Sequence, residues 1–363
     1  MEKALITFLG IGDVLIDREK PESIFQHTAD VLRSAEITFA NAEQGYSELG
    51  NPGPIHASYS HPRNIPALIS AGIDVLSLAN NHTLDWGPEN LLDTIARLKA
   101  VGIPAVGAGK NLFEARQPVI LERKGNKVGF LAFSSTGPDG YEAEEDKPGY
   151  APVRVWTIYE KVDYQPATPP RIVSFPYKED LAAMVEDIRK LKAQVDVVIV
   201  SFHWGQHLIP RVIPMYCFEV GRAAVDAGAD LILGGHTHVL KGIEVYKGKV
   251  IFYSLSNYAC ELGPGTLGLS TSNRMAKKLT QLYGTTHHPE AKATLIVKAL
   301  IQDGQIKQVS YLPCYINERE EPLLMTQRDS RGQEVFNYVQ DISRSEKLPA
   351  HFSWQNNEVV ISP

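Results

Sequence analysis

Short apolar runs alternate along this chain with segments whose apolar residues recur three and four apart, the pattern of strands exchanging with amphipathic helices. Residues 4–11 read as a buried strand, followed by a loop at Gly12-Asp13. Residues 37–42 and 73–78 read as two more strands, the second running into Asn80-Asn81-His82. Pro88 marks a helix start, where its missing N–H costs nothing, and residues 89–100 place Leu91, Leu92, Ile95 and Leu98 at helical spacing. Residues 119–123 and 127–133 flank Lys124-Gly125-Asn126, a hairpin signal. Residues 178–193 predict a helix with Leu181, Met184, Val185, Ile188 and Leu191 on one face. A strongly apolar strand over 195–202 ends at His203, a helix follows over 214–227, and a short strand over 230–233 ends at Gly234-Gly235-His236. Hairpins are expected over 243–246 with 250–255 and over 293–301 with 305–312, then a helix over 333–343 and a last strand over 359–361. Two stretches lack periodicity: 136–176 reads as a long irregular excursion and 261–291 as a surface loop.

Strands mixed with helices, with hairpins more frequent late in the chain, fit two sheets with helices outside better than a doubly wound parallel sheet. No internal repeat or long linker divides the 363 residues, 44% of them hydrophobic, so one large core is expected. The fold class is therefore α/β (α+β), with residues 1–320 as the main domain and 321–363 adding a helix and strand to it.

A net charge of −6 lacks the basic footprint of a nucleic-acid binder and would not favour an anionic membrane. No run approaches the roughly 20 apolar residues of a membrane span, and the N-terminal run reads as a first strand, not as a signal peptide. Cys217, Cys260 and Cys314 are far apart with no CxxC pair, so neither a disulfide framework nor a thiolate zinc site is indicated. Buried or free thiols in a reducing, cytoplasmic compartment are the expectation.

The chemistry lies in where polar ligand types fall. Asp13, Glu43, Asn81, His203 and His236 all lie at or just beyond the C-terminal end of an expected strand, where ligands gather in open α/β sheets. In Gly234-Gly235-His236-Thr237-His238 the glycines are expected to let the backbone turn tightly, so that the imidazoles point at two metals, flank one, or are ordinary loop histidines. His203 is a ligand or a satisfied core histidine, and His207 is substrate-facing or structural. Asn81 is a neutral oxygen ligand suited to hard or borderline ions. His82 could donate a proton, oriented by Asp85, although an Asn/Asp turn capping the next helix explains the same cluster. Glu43 could bridge two cations. Arg18 is an anion clamp or a surface arginine.

Taken together, these motifs resemble the CapA family, the poly-γ-glutamate capsule biosynthesis proteins of the calcineurin-like metallophosphoesterase superfamily. The resemblance rests on Gly12-Asp13 through Arg18, Asn41-Ala42-Glu43, Val75 through Gly87, Val200 through Gly205, Ala227 through Val239 and Glu244 through Asn257, in the family's order from about residue 5 to about 320. It implies a four-layer αββα sandwich with two metals above the strand ends. By motif, Asn81, His203 and His236 would hold one metal and Asp13 with His238 the other, with Glu43 as the bridging carboxylate. His82 would protonate the leaving group. Beside these carried-over roles, Asp85 is expected to serve catalysis by orienting His82, and Arg18 to do so by stabilising developing negative charge; Arg18, Trp204, His207 and Asn257 are expected to face substrate. Two departures stand out: Leu15 replaces the imidazole of the usual Asp-x-His, and Glu43 replaces a shorter Asp. One firm divalent site (Mn, Zn, Fe or Mg) and one weaker site are expected. The family's typical anchor ahead of the domain is not seen in this sequence, which favours a soluble enzyme.

The resemblance thus implies a metal-dependent hydrolase acting on a phosphoester or a carboxylate-bearing amide or ester, its substrate small or an anionic oligomer. The alternative is a non-catalytic, polymer-binding accessory protein of a capsule or poly-γ-glutamate synthesis complex. Neither nucleic acid nor membrane is an expected partner, and a homo-oligomer is compatible with the sequence.

Overall fold

In the computed structural model, which describes residues 3–52, 59–261 and 289–363, eighteen strands and six helices carry the architecture. The first half holds β1 (Ile6–Leu15), α1 (Ala29–Arg33), β2 (Ile37–Ala42), α2 (Ile65–Ala71), β3 (Val75–Ser77), α3 (Gly87–Ala100), β4 (Ala105–Val106), β5 (Val119–Arg123), β6 (Asn126–Ser134), β7 (Val155–Glu160) and β8 (Arg171–Pro176). The second holds α4 (Lys178–Lys192), β9 (Val197–His203), α5 (Met215–Ala227), β10 (Leu231–Gly235), β11 (Ile243–Tyr246), β12 (Lys249–Phe252), β13 (Asn257–Cys260), β14 (Ala293–Gln302), β15 (Gln305–Ile316), β16 (Pro322–Leu324), α6 (Ser330–Ser345), β17 (His351–Gln355) and β18 (Glu358–Ser362).

Two mixed sheets result. One runs β17-β18-β15-β14-β1-β2-β3-β4, with β13 added alongside β1 and β16 alongside β15; the other runs β11-β12-β10-β9-β6-β5. Their facing sides alternate with their outer sides as a pleat dictates. Ile6, Phe8, Phe39, Phe130, Ile199 and Leu233 meet in the cluster between the sheets, where Phe39 stacks on Phe130 with ring centroids 5.9 Å apart. On the outside of the first sheet, Ala40, Leu76 and Leu78 lie against Leu32 of α1, Leu68 of α2 and Leu91 and Leu98 of α3. Outside the second, Val198, Val200 and Ile232 lie against Met184, Ile188 and Leu191 of α4 and Val220 and Ala224 of α5. The result is the expected four layers of helix, sheet, sheet and helix. Val335, Val339 and Ile342 of α6 join the central cluster.

The apolar periods of α3 and α4 and the strands over 195–202 and 230–233 are found where the pattern places them, within a residue or two. Residues 136–176 are a partial miss. They contain the antiparallel hairpin β7–β8, in register from Val155 opposite Pro176 to Glu160 opposite Arg171. All of β7 after Val155 is exposed, so no inward face imposed an alternation for the eye to find. Short helices α1 and α2 and the strand β17 also escaped, being too brief or too exposed to show a period. Of the expected surface loop over 261–291, residues 262–288 lie outside the described residues. None of the described helices is long and apolar enough to cross a membrane.

Candidate metal centre

The first strand does not stop at a loop before Asp13; it continues through it. The reason is local: the Asp13 N–H donates to Ser256 O at 3.1 Å, and Asp13 pairs across to Asn257 of β13 on one side and Asn41 of β2 on the other. Gly12 is obligatory there, because a Cβ would stand 2.1 Å from Ser256 O. Asp13 is fully buried. Its Oδ1 accepts from Asn41 Nδ2 at 2.8 Å and its Oδ2 from the His236 N–H at 3.2 Å.

Four side chains from both sheets converge next to it. His203 Nε2 lies 2.6 Å from Asn81 Oδ1, 3.2 Å from His236 Nδ1 and 3.1 Å from Glu43 Oε1, and Asn81 Oδ1 is 3.2 Å from His236 Nδ1. Glu43 also points Oε2 toward His238 Nε2 at 3.6 Å, and His238 Nδ1 lies 3.6 Å from Asp13 Oδ2. Glu43 is 1% exposed, yet its Oε1 makes no aligned hydrogen bond. A buried carboxylate oxygen left this way is costly unless something charged meets it. Ligands bound about 2.1 Å from one ion sit roughly 3 Å apart, which is the spacing found here. The donor set of Glu43, Asn81, His203 and His236 therefore fits a divalent cation, and the ligating atoms of Glu43, His203 and His236 all fall within 4.8 Å of one another.

The backbone of Gly234-Gly235-His236-Thr237-His238 works differently from the sequence expectation. The glycines are inside β10, and they are needed for close approach, not for turning. A Cβ on Gly235 would lie 2.9 Å from Asp13 Oδ1 and 3.4 Å from His203 Nδ1, and one on Gly234 would lie 2.3 Å from Tyr253 O. The histidines themselves take the left-handed conformation, with φ of 87° at His236 and 53° at His238. Such backbone costs of order 1–2 kcal/mol per residue and persists where surrounding structure fixes it, commonly at functional sites.

Electrostatics favour ligand forms. Burial lowers the basicity of His203, and burial plus the neighbouring histidines lowers that of His236 well below the ordinary value, so both rings are neutral. Burial pushes the Asp13 carboxyl well up, and the nearby Glu43 adds to this. Burial would raise Glu43 too, but His238 and His203 more than offset it and hold it at about 2. The Glu43 carboxylate, an Asp13 carboxyl whose ionisation a cation would favour, and the neutral rings of His203 and His236 form a closed cage suited to a cation.

The other residues named from sequence are placed as follows. His82 donates through Nδ1 to Asp85 Oδ2 at 2.8 Å, with Nε2 3.0 Å from Asn81 Nδ2. Asp85, 1% exposed, thus orients the ring and does not reach the open rim. His207 is exposed on the loop after β9, with its ring centroid 5.5 Å from that of His236 and 4.8 Å from that of His238. Three placements correct the expectation of substrate contact. Trp204 is fully buried, donates its indole N–H to Tyr253 O and stacks on Phe202, so its place is in the core. Asn257 is 2% exposed, and its Oδ1 meets His238 Nδ1 at 2.5 Å, which leaves His238 Nε2 turned toward Glu43. Arg18 is tied to Glu261 Oε1 at 2.8 Å, to Arg319 O at 2.7 Å and to Ser23, with Glu321 at 3.6 Å, so its charge is already met by carboxylates. Sequence reading missed Asn41, whose Nδ2 holds Asp13 and lies 3.3 Å from His203 Nδ1, and Asn80, which caps the His82 N–H at 2.9 Å. Their only signal was adjacency to Glu43 and Asn81.

A family model described as bacterial capsule synthesis protein PGA_cap matches residues 7–261. The chain belongs to this family. The match takes in every residue of the centre and agrees with the resemblance read from the motifs. Among the relatives, the PGA biosynthesis protein CapA of Bacillus subtilis is 29% identical over 266 residues, covering 70% of this chain and 63% of its own length. A probable polyglutamine synthesis accessory protein of Mycobacterium tuberculosis is 33% identical over 233 residues, covering 63% of this chain and 55% of its own. The chain thus spans roughly three fifths of the curated relatives it matches. Among solved structures, a calcineurin-like phosphoesterase, YfkN from Bacillus subtilis, aligns over 96% of this chain and 100% of its own at 16% identity, with a TM-score of 0.43.

Proposed function

We propose that this protein is a divalent-metal-dependent hydrolase of a phosphoester or of a carboxylate-bearing amide or ester, related to the poly-γ-glutamate chemistry for which its relatives are named. The observation that carries the reading is the convergence of Asn81 Oδ1, His203 Nε2, His236 Nδ1 and the buried, unaligned Glu43 Oε1 at 2.6–3.2 Å contacts. Those four residues would hold the firm ion, and Asp13 with His238, sharing Glu43, the second. A divalent ion there supplies Lewis acidity and activates water.

The chain's own groups do the rest. Asn41 and the His236 N–H fix both oxygens of Asp13. Asn257 sets the ring of His238. His82, braced by Asp85, holds a proton beside the ligand Asn81, where a leaving group could take it. Exposed His207 is the remaining candidate for substrate contact. The mycobacterial relative's name favours a second reading, an accessory protein that uses the same pocket to bind polymer without turnover.

Purified protein, dialysed against chelator and reloaded with Mn²⁺, Zn²⁺, Fe²⁺ or Mg²⁺, is assayed on aryl phosphoesters and on γ-glutamyl amides. The expected outcome is metal-restored hydrolysis that the double change His203→Ala with His236→Ala reduces at least 100-fold. Hydrolysis indifferent to that pair of substitutions refutes the proposal. Stoichiometric metal and polyglutamate binding with no hydrolysis would establish the accessory reading instead.

A further inference from the structure

Cys260 ends β13 at the edge of the centre, 2% exposed. Its position depends on an irregularity. β13 runs parallel to β1 with Asp13 opposite Asn257, but the register slips after Asp13, so that Val14 faces Ala259 and Leu15 faces Cys260. Asn257 and Cys260 are three apart and would point to opposite faces of a regular strand. The extra residue, Tyr258, absorbs the mismatch as a bulge does and is itself fully buried, its ring stacked against Phe25. Cys260 is thereby brought round to the side that Asp13 and Asn257 occupy. Leu15, its neighbour on β1, offers no donor.

The consequence is a second group of ligand atoms: Glu43, His238 and Cys260 each present one, all within 4.8 Å of one another and all buried. Asn257 accepts at His238 Nδ1, leaving Nε2 toward Glu43. Glu43 turns its two oxygens to the two groups, Oε1 toward His203 and Oε2 toward His238. The other two cysteines are buried and free, yet neither belongs to such a group among the described residues. Cys314 points its thiol at Leu312 O. Cysteine spacing carries no trace of this arrangement, since the three ligands come from separate segments.

We propose that the second position, held by Glu43 and His238 with Asp13 nearby, also takes Cys260 as a thiolate ligand, and that it prefers thiophilic ions such as Zn²⁺, Co²⁺ or Cd²⁺ to Mg²⁺ or Mn²⁺. The preference follows from the softness of a sulfur ligand. On binding, the Cys260 S–H bond breaks, a sulfur–metal bond forms, and one proton per ion leaves to solvent. The inference rests on the reading that this rim binds metal at all.

Cobalt titration of the metal-free full chain separates the two. The expected result is a near-ultraviolet thiolate-to-cobalt band that survives His236→Ala and Cys217→Ser, and that Cys260→Ser abolishes along with a tenfold or greater loss of Zn²⁺ affinity for one equivalent. X-ray absorption of the unmodified zinc-loaded protein, independent of any variant's folding, should find one sulfur at about 2.3 Å. Cobalt bound with no such band, a band that persists in Cys260→Ser, or a zinc shell without sulfur overturns the thiolate position alone. No cobalt binding of any kind overturns the metal centre itself, and this position with it.

Discussion

His82 stands between two demands. Asn81 Nδ2 at 3.0 Å from its Nε2 suits a neutral ring that accepts there and donates to Asp85. Burial also opposes the imidazolium, yet Asp85, Glu43 and Asp13 together outweigh it and raise the group from 6.5 to about 9. Cations in the cage would weaken the pull of Glu43 and Asp13 and leave that of Asp85, the nearest carboxylate, in place. In the metal-free chain the folded-state value exceeds the unfolded one. The stabilisation is therefore complete below about pH 6.5 and declines as pH rises through about 9. Urea midpoints of the metal-free protein and of His82→Gln should differ most at pH 6 and converge by pH 10. A gap of the same size at both values would show that the charged ring is not the stabilising species.

At the scale of elements, legibility followed burial. Val197–His203, buried throughout, announced itself as an apolar run that only Ser201 interrupts before His203, and α4 did so through the stripe of Met184, Ile188 and Leu191. The candidate ligands were legible for the same reason: each lies at or just beyond the end of such a run. What was not legible depends on pairs distant in sequence. Nothing near Trp204 signals that its indole is matched to Tyr253 O, nor does anything near Arg18 point to Glu261. The tail illustrates the limit. β17 alternates without strong apolarity and was missed, yet it forms a hairpin with β18, which pairs with β15 through Ser310 and Tyr311. Val359, fully buried in that seam, fastens the tail to the first sheet. Val359→Ala should cost about 1–3 kcal/mol in chemical denaturation and leave metal stoichiometry unchanged, because β18 lies across β15 and β14 from the strand that carries Asp13. Lost metal binding in a folded variant would mean that the tail shapes the centre.

For the molecule as a whole, the centre spans the seam between layers: Asp13 and Glu43 come from the first sheet, His203 and His236 from the second. An ion that binds only when both are in place stabilises the entire fold by mass action, about 2.7 kcal/mol at a concentration 100 times its dissociation constant. Differential scanning calorimetry should therefore show a melting temperature that climbs with Zn²⁺ or Mn²⁺ concentration and falls back on chelation. The climb should be absent in the combined His203→Ala, His236→Ala variant. A rise of equal size in that variant would place the stabilising ions elsewhere.

The bond from the His236 N–H to Asp13 closes a loop of 223 residues, and the one between His203 and Asn81 a loop of 122. Contacts of such separation are among the slowest for a chain to search out. During refolding, metal capture should lag behind the recovery of helix and of buried tryptophan, so a chelating dye that competes for the ion would time the last step of assembly.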